Sequence, residues 1–174
     1  MVSKESFIVI LLIFTLLTIY VFYVLFSFCF LYIFKKKILI SKNKLNIFLY
    51  QIAQSIFRTL NLIDDSFLSD DLLKFKNDNK YKKYVEFDAN IFRENYLILD
   101  DIFKKVSKLV NNKSILNKEK ILIELEIIED CEKDYFSTAQ IYNSYVIGYN
   151  YWRNLLFTKR VKDLFKVELK KIIN

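Results

Sequence analysis

The sequence predicts an all-α protein, with an N-terminal transmembrane helix followed by an antiparallel bundle of long helices. Three observations support this prediction. The chain has 174 residues, no proline and one glycine, so nearly every position can be helical and few can form tight turns. A long uncharged apolar run lies close to the N-terminus. Further along, apolar residues recur at three- and four-residue steps, which is the spacing of one face of a helix.

The apolar run covers residues 7–34 and is bounded by Glu5 on one side and by three lysines at 35–37 on the other. About 20 apolar residues are enough to cross a bilayer, so the run either tilts or extends its ends into the headgroups. A cleaved signal peptide would have an apolar region of roughly 7–15 residues followed by small residues, and this run does not fit that description. The sequence therefore divides into a short flank at 1–6, a transmembrane helix at 7–34 and a helical domain at 35–174.

The flanking lysines predict the orientation of this transmembrane helix. Lysines follow the run at positions 35, 36, 37, 42 and 44, whereas Lys4 alone precedes it. Because positive charge is retained in the cytoplasm, we expect the helix to span a bacterial cell (inner) membrane. The N-terminus should lie outside and the helical domain in the cytoplasm. Cys29 and Cys131 have no CxxC spacing, and we interpret both as small hydrophobic residues in a reducing compartment.

The apolar spacing also predicts the order of the helices beyond the membrane. The spanning helix should continue and then stop near Asp64, and a short apolar segment should lead to a polar turn at 77–80. A second long helix is predicted over 84–112. It should end at the two asparagines at 111–112, because asparagine tolerates the left-handed cap conformation. Asn117 is then suited to the N-cap of a third helix, because its side-chain oxygen can accept a hydrogen bond from the first turn.

The third helix carries the most regular pattern of the chain. Every seventh position is apolar or aromatic: Ile121, Ile128, Tyr135, Tyr142, Tyr149 and Leu156. The intermediate positions hold Leu125, Ala139 and Val146, but also the polar residues Glu132 and Arg153. This spacing predicts the seam of a bundle or coiled coil, in which paired polar groups can fix the register of the helices.

Residues 142–150 read YNSYVIGYN and fit the pattern Tyr-Asn-x-x-Val-x-x-Tyr-Asn, which resembles the signature of the LemA family. An acidic position common in that family is matched ten residues earlier, and the match extends over 128–165. The positions that carry it are Glu132, Tyr142, Asn143, Val146, Tyr149 and Asn150. The chain departs from the family at 70–73, where no arginine pair and no proline are found, and at Ala139, where the family has arginine. The resemblance implies an antiparallel helical bundle on a membrane anchor and no known reaction.

We interpret the family positions as structural, with a ligand site as the alternative. Tyrosines seven residues apart bury their rings along a seam, and asparagines beside them can bridge helices. Acidic pairs at 64–65, 70–71 and 100–101 could bind a cation, but they lack the EF-hand spacing and are more simply helix ends and solvated faces. The sequence therefore predicts no metal site and no cofactor site.

Missing residue types exclude most enzyme classes. There is no histidine, which removes the Ser-His and Cys-His pairs and the HExxH zinc site, and one glycine excludes a P-loop or a dinucleotide fingerprint. A hydrolase or transferase would need a nucleophile and base that we do not find, so no catalytic residue is predicted. Despite a net charge of +7, no nucleic-acid-binding motif is present.

The sequence thus predicts a membrane-anchored scaffold or interaction protein without catalytic activity. Its expected partners are the lipid bilayer, other membrane or cytoplasmic proteins and a second copy of the chain. The C-terminal segment 158–174 is basic on one face and apolar on the other. It is either a final bundle helix or a segment lying on anionic lipid. In the second case the alternative function is a peripheral lipid-organising role.

Overall fold

The computed structural model describes residues 4–78, 91–112, 117–155 and 173. Four α-helices occur in these ranges: α1 (Lys4–Leu62), α2 (Asp70–Asn77), α3 (Phe92–Asn112) and α4 (Lys118–Leu155). A short 3-10 turn, Asp65–Phe67, connects α1 to α2. The predicted fold class is confirmed, since a long apolar N-terminal helix is followed by a helical bundle.

The helix ends agree with the predicted stop signals. α1 ends at Leu62, and the Asp64 side chain caps the turn that follows by accepting a hydrogen bond from the Ser66 N–H at 2.9 Å. α3 is described as far as Asn112, where its end was predicted, and the predicted start near residue 84 lies outside the described residues. Asn117 precedes α4 and its carbonyl accepts the Ile121 N–H at 3.1 Å, but its φ is +66°. It therefore holds the N-cap position in a left-handed conformation, which asparagine tolerates better than most residues.

α1 changes character along its length. Every side chain from 5 to 22 is exposed, and large apolar side chains such as Phe7, Phe14 and Phe22 are 62–68% exposed. Partial burial begins at Tyr23, and Ser27 is fully buried. In the described part of the chain, α1 is the one helix that is long and apolar enough to cross a membrane. Because this apolar stretch is not buried inside the protein, it does not have the burial of a soluble core helix.

The described residues form two compact units. The first unit contains 4–38 and 145–155, and the second contains 39–78, 91–112, 117–144 and 173. Helices α1 and α4 each contribute to both units. α2 and α3 belong to the second unit alone.

The core of the second unit is built on one face of α1. Six α1 side chains at three- and four-residue steps are completely buried: Leu45, Leu49, Ile52, Ala53, Ile56 and Leu60. Leu99 of α3 and Ile128 of α4 are completely buried as well. α2 packs through Phe75, whose ring stacks on Phe57 of α1 with 4.9 Å between centroids.

Candidate interaction surfaces

The seven-residue pattern of α4 is its buried face. Ile121, Ile128, Tyr135, Tyr142 and Tyr149 are at most 4% exposed, whereas Leu156 lies outside the described residues. Of the intermediate positions, Val146 is completely buried, while Leu125 and Ala139 are half-buried. Tyr142, Val146 and Tyr149 of the family motif are therefore packing residues of this face.

Glu132 lies between α3 and α4 in the second unit. The Tyr96 hydroxyl of α3 donates to Glu132 Oε1 at 3.3 Å. The Tyr96 ring stacks on Tyr135 with 4.9 Å between centroids and an interplanar angle of 8°, and Phe136 meets it edge-on at 5.1 Å. One side chain of α3 is thus held by three side chains of α4, which fixes how the two helices pair.

Burial is the main influence on the protonation of Glu132 and of the two tyrosines beside it. Partial burial, followed by the negative charge of Asp100, raises the pKa of Glu132. Burial and the charge of Glu132 raise the pKa of Tyr96 well above its usual range, and burial raises the pKa of Tyr135 to about 12. Both tyrosines are protonated at neutral pH, so Tyr96 acts as a hydrogen-bond donor to the carboxylate.

Asn143 connects α4 to the C-terminal end of the sequence. Its Nδ2 donates to the Ile173 carbonyl at 2.7 Å, and its Oδ1 accepts the Ile173 N–H at 2.8 Å. Ile173 is 9% exposed. The side chain of Asn143 therefore satisfies both backbone groups of residue 173, which is a structural use of a motif residue. The rest of the basic segment at 158–174 lies outside the described residues.

Asn150, the second asparagine of the motif, is half-buried and belongs to the first unit. Glu132, Tyr142 and Asn143 belong to the second unit, while Val146, Tyr149 and Asn150 belong to the first.

The first unit contains an aromatic cluster that the sequence analysis did not single out. Trp152 of α4 stacks on Phe30 of α1 with 4.5 Å between centroids and an interplanar angle of 7°, and Phe26 meets it edge-on at 6.0 Å. The Tyr23 hydroxyl donates to the Leu155 carbonyl at 3.0 Å. The phenylalanines lie four residues apart on one face of α1, a spacing that could have indicated a partner helix.

The single glycine belongs to the same cluster. A Cβ atom added at Gly148 would lie 2.7 Å from the Phe34 ring, much closer than normal van der Waals contact. Phe34 in turn faces Tyr145, with 6.3 Å between ring centroids, and the Lys37 ammonium lies 5.1 Å from the centre of the Tyr145 ring. Gly148 therefore permits a close approach of α1 and α4 within the first unit.

Two of the three acidic pairs meet around a lysine. The Lys105 ammonium contacts Asp71 of α2 and Asp101 of α3, each at 2.9 Å, beside a depression of about 310 Å³ that Asp78 also lines. The remaining pair begins with the capping residue Asp64. No group of three or more His, Cys, Asp or Glu side chains that could hold a metal ion occurs in the described residues. Lysine thus supplies the positive charge between these carboxylates.

Cys131 has the environment of an unreactive thiol. Burial, together with the negative charges of Asp134 and Asp130, raises its pKa. The thiol lies 3.8 Å from the Gln51 Oε1 atom of α1. The nucleophilic thiolate is therefore scarce at neutral pH.

Comparisons of the chain with protein-family models, curated proteins and solved structures found no match. The resemblance of 128–165 to the LemA family stays a prediction that rests on the Tyr-Asn motif. Function is therefore inferred from the exposed apolar surface, the packing and the charges of the chain itself.

Proposed function

We propose that the chain is a membrane-anchored helical-bundle protein of LemA-like type, which acts as a scaffold or interaction module and catalyses no reaction. The first part of α1 crosses the cell (inner) membrane once, with the N-terminus outside. The second unit lies in the cytoplasm. It presents its surface to membrane or cytoplasmic proteins or to a second copy of the chain.

The observation that carries this proposal is that every side chain of α1 from 5 to 22 is exposed. Soluble monomers rarely expose a contiguous apolar patch larger than a few hundred Å². Here large side chains point outward all around the helix, including Ile8 at 51% and Leu17 at 58% exposure. No single protein groove covers every side of a helix, whereas the hydrocarbon of a bilayer does.

The interaction role is supported by apolar side chains on the surface of the second unit. On α3, Leu97 is 50% exposed. On α4, Leu122, Ile123 and Ile141 are 46–55% exposed. Such side chains, next to a core that is already closed, favour a protein partner or a second copy. The alternative lipid-organising role depends on the basic segment at 158–174, and no contact between described residues favours it.

Membrane insertion is tested by carbonate washing of cell membranes that contain the full chain. We expect the protein to stay in the membrane pellet, and a variant with Leu12→Lys and Leu16→Lys to be released, because each lysine at the centre of a span costs about 2.5–3.5 kcal/mol. A matched Leu12→Ile and Leu16→Ile variant should remain in the pellet. Release of the wild-type chain would contradict the anchor.

The interaction role is tested with a photo-crosslinking amino acid placed at Ile123 in native membranes. We expect a discrete crosslinked product, whose mass distinguishes a second copy from another protein. The same group at the completely buried Ile128 is the control, and it should give no intermolecular product. If products are absent at Ile123 and also at Ile141 and Leu97, the scaffold role is wrong.

A further inference from the structure

The aromatic cluster of the first unit bears on how deeply the protein enters the membrane. Lys4 and Glu5 precede the apolar run, so the hydrocarbon core begins close to Phe7. At about 1.5 Å per residue, the roughly 30 Å of hydrocarbon is crossed by about 20 residues and ends near Phe26. The apolar run, however, continues to Phe34. For a helix that crosses the bilayer without a large tilt, the last third of the run therefore extends beyond the hydrocarbon.

Helix α4 packs against this last third. Trp152 contacts both Phe26 and Phe30, so its ring lies level with the end of the hydrocarbon and the start of the headgroups. Tyr151 meets Trp152 edge-on at 5.9 Å and is 60% exposed. Tryptophan and tyrosine are enriched at this level of membrane proteins, because an apolar ring with a polar edge suits it.

A hydrogen bond joins the two helices close to this level. The Tyr23 hydroxyl of α1 donates to the Leu155 carbonyl of α4 at 3.0 Å, and a polar group close to hydrocarbon needs such a partner within the protein. Tyr23 belongs to the apolar run itself, so the spanning helix supplies the donor.

We propose that the C-terminal part of α4, residues 145–155, is immersed with residues 26–37 of α1 in the headgroup layer of the bilayer. The partner of the exposed aromatic surface around Tyr151 and Trp152 is the glycerol and headgroup region of phospholipids. This inference rests on the proposed membrane anchor. It adds that a helix distant in sequence from the span is itself a membrane contact.

Trp152 is the only tryptophan of the chain, so its fluorescence reports one position. The full chain is reconstituted into phospholipid vesicles that contain lipids brominated either near the glycerol or near the end of the acyl chain. Bromine quenches indole only at short range. We expect the larger loss of emission with bromine near the glycerol, and little further loss on adding aqueous iodide.

Two relocated tryptophans in a Trp152→Phe background separate this inference from the anchor. Phe14→Trp should be quenched mainly by bromine near the chain end, because it lies within the proposed span. Phe136→Trp, at a 50% exposed position of the second unit, should be quenched by iodide alone. An unquenched Phe14→Trp would overturn the anchor itself.

If Phe14→Trp is quenched as expected, the native Trp152 decides the inference. Quenching of Trp152 by iodide without quenching by brominated lipid would place α4 in water and overturn the proposal. The largest loss with bromine near the chain end would place Trp152 in the hydrocarbon and also overturn it. A Tyr23→Phe variant removes the donor to Leu155, and we expect Trp152 in it to become more accessible to iodide.

Discussion

Asn143 illustrates how a residue can belong to a sequence motif for a local structural reason. A side-chain amide has one acceptor and one donor group, which match the N–H and C=O of a peptide segment. Asn143 uses both groups on Ile173, at 2.8 and 2.7 Å. From the sequence we interpreted this asparagine as structural, with a ligand site as the alternative. The sequence could not indicate the partner, because residue 173 is thirty positions away and carries no matching signal.

We expect Asn143→Ala to lower the free energy of unfolding by about 1–3 kcal/mol, because both backbone groups of Ile173 lose their partner in a partly buried place. Asn143→Asp should be destabilising as well, because its carboxylate still accepts the Ile173 N–H but places a second acceptor oxygen against the Ile173 carbonyl. Ser144→Ala is the control, because Ser144 is exposed and its hydroxyl donates to the Gln140 carbonyl of its own helix at 2.9 Å. Denaturant unfolding of the full chain in detergent micelles measures all three. Equal stability of Asn143→Ala and the wild type would show that the two hydrogen bonds between Asn143 and Ile173 do not stabilise the fold.

Glu132 gives a prediction about pH. Its pKa in the folded protein is raised above the reference value of 4.5, mainly by burial, so folding favours the protonated form. The contribution of Glu132 to the free energy of unfolding is therefore fully present below its unfolded-state pKa. This contribution is lost as the pH rises through the folded-state pKa. We expect Glu132→Gln, which keeps an acceptor for Tyr96, to raise the melting temperature at pH 7. The difference should vanish near pH 4.

The control for this experiment is Glu126→Gln, on an exposed position of α4. The melting temperature of this variant should equal that of the wild type at pH 4 and at pH 7. A melting temperature of Glu132→Gln below that of the wild type at pH 7 would mean that the carboxylate stabilises the fold through a stronger partner than Tyr96.

At the scale of the helices, local patterns predicted what each element would bury. The seven-residue spacing from Ile121 to Tyr149 gives the buried face of α4, because side-chain direction in a helix depends only on position along the chain. The end of α1 was predicted from the polar residues that begin at Asp64, whose side chain caps the turn that follows. The pairing of 23–37 with 145–155 was not predicted, since the two segments are more than a hundred residues apart and either could have faced lipid.

The contact of Gly148 with Phe34 tests that pairing directly. Alanine at a helical glycine would ordinarily gain about 1 kcal/mol, but here the added Cβ would lie 2.7 Å from an aromatic ring. Overpacking of this kind costs about 1–3 kcal/mol, so we expect Gly148→Ala to be neutral or destabilising. In a Phe34→Leu background, which leaves room, the same substitution should stabilise the protein. Thermal unfolding of the four chains in micelles gives the coupling energy.

A coupling of zero would contradict the close approach of α1 and α4 at this point. Ser144→Ala, which adds no atom near Phe34, should show the same effect in both backgrounds and provides the matched control.

At the scale of the whole molecule, one continuous α1 combines two surfaces with different surroundings. Residues 5–22 have no protein cover, whereas the face from Leu45 to Leu60 is completely buried. Hydrophobicity alone indicated the exposed surface, because a helix in lipid is apolar on all sides. Periodicity indicated the buried face, because a helix in a bundle is apolar on one side. Where the cover by α4 begins along the run could be learned only from the fold.

The proposed orientation of the molecule rests on the charges that flank the span, so we expect that moving these charges will reverse it. The three lysines at 35–37 outweigh Lys4, and positive residues close to a span are held on the cytoplasmic side. We expect a reporter fused after Asn174 to be cytoplasmic in the wild-type chain and one before Met1 to be external. Replacing the lysines at 35–37 by glutamine and changing Val2, Ser3 and Ser6 to lysine should exchange the two locations. Replacement of the same lysines by arginine keeps the charge and should leave the orientation unchanged. If the reporters stay in place after the charge exchange, the flanking lysines do not set the topology. The helical domain that follows the span must then determine it.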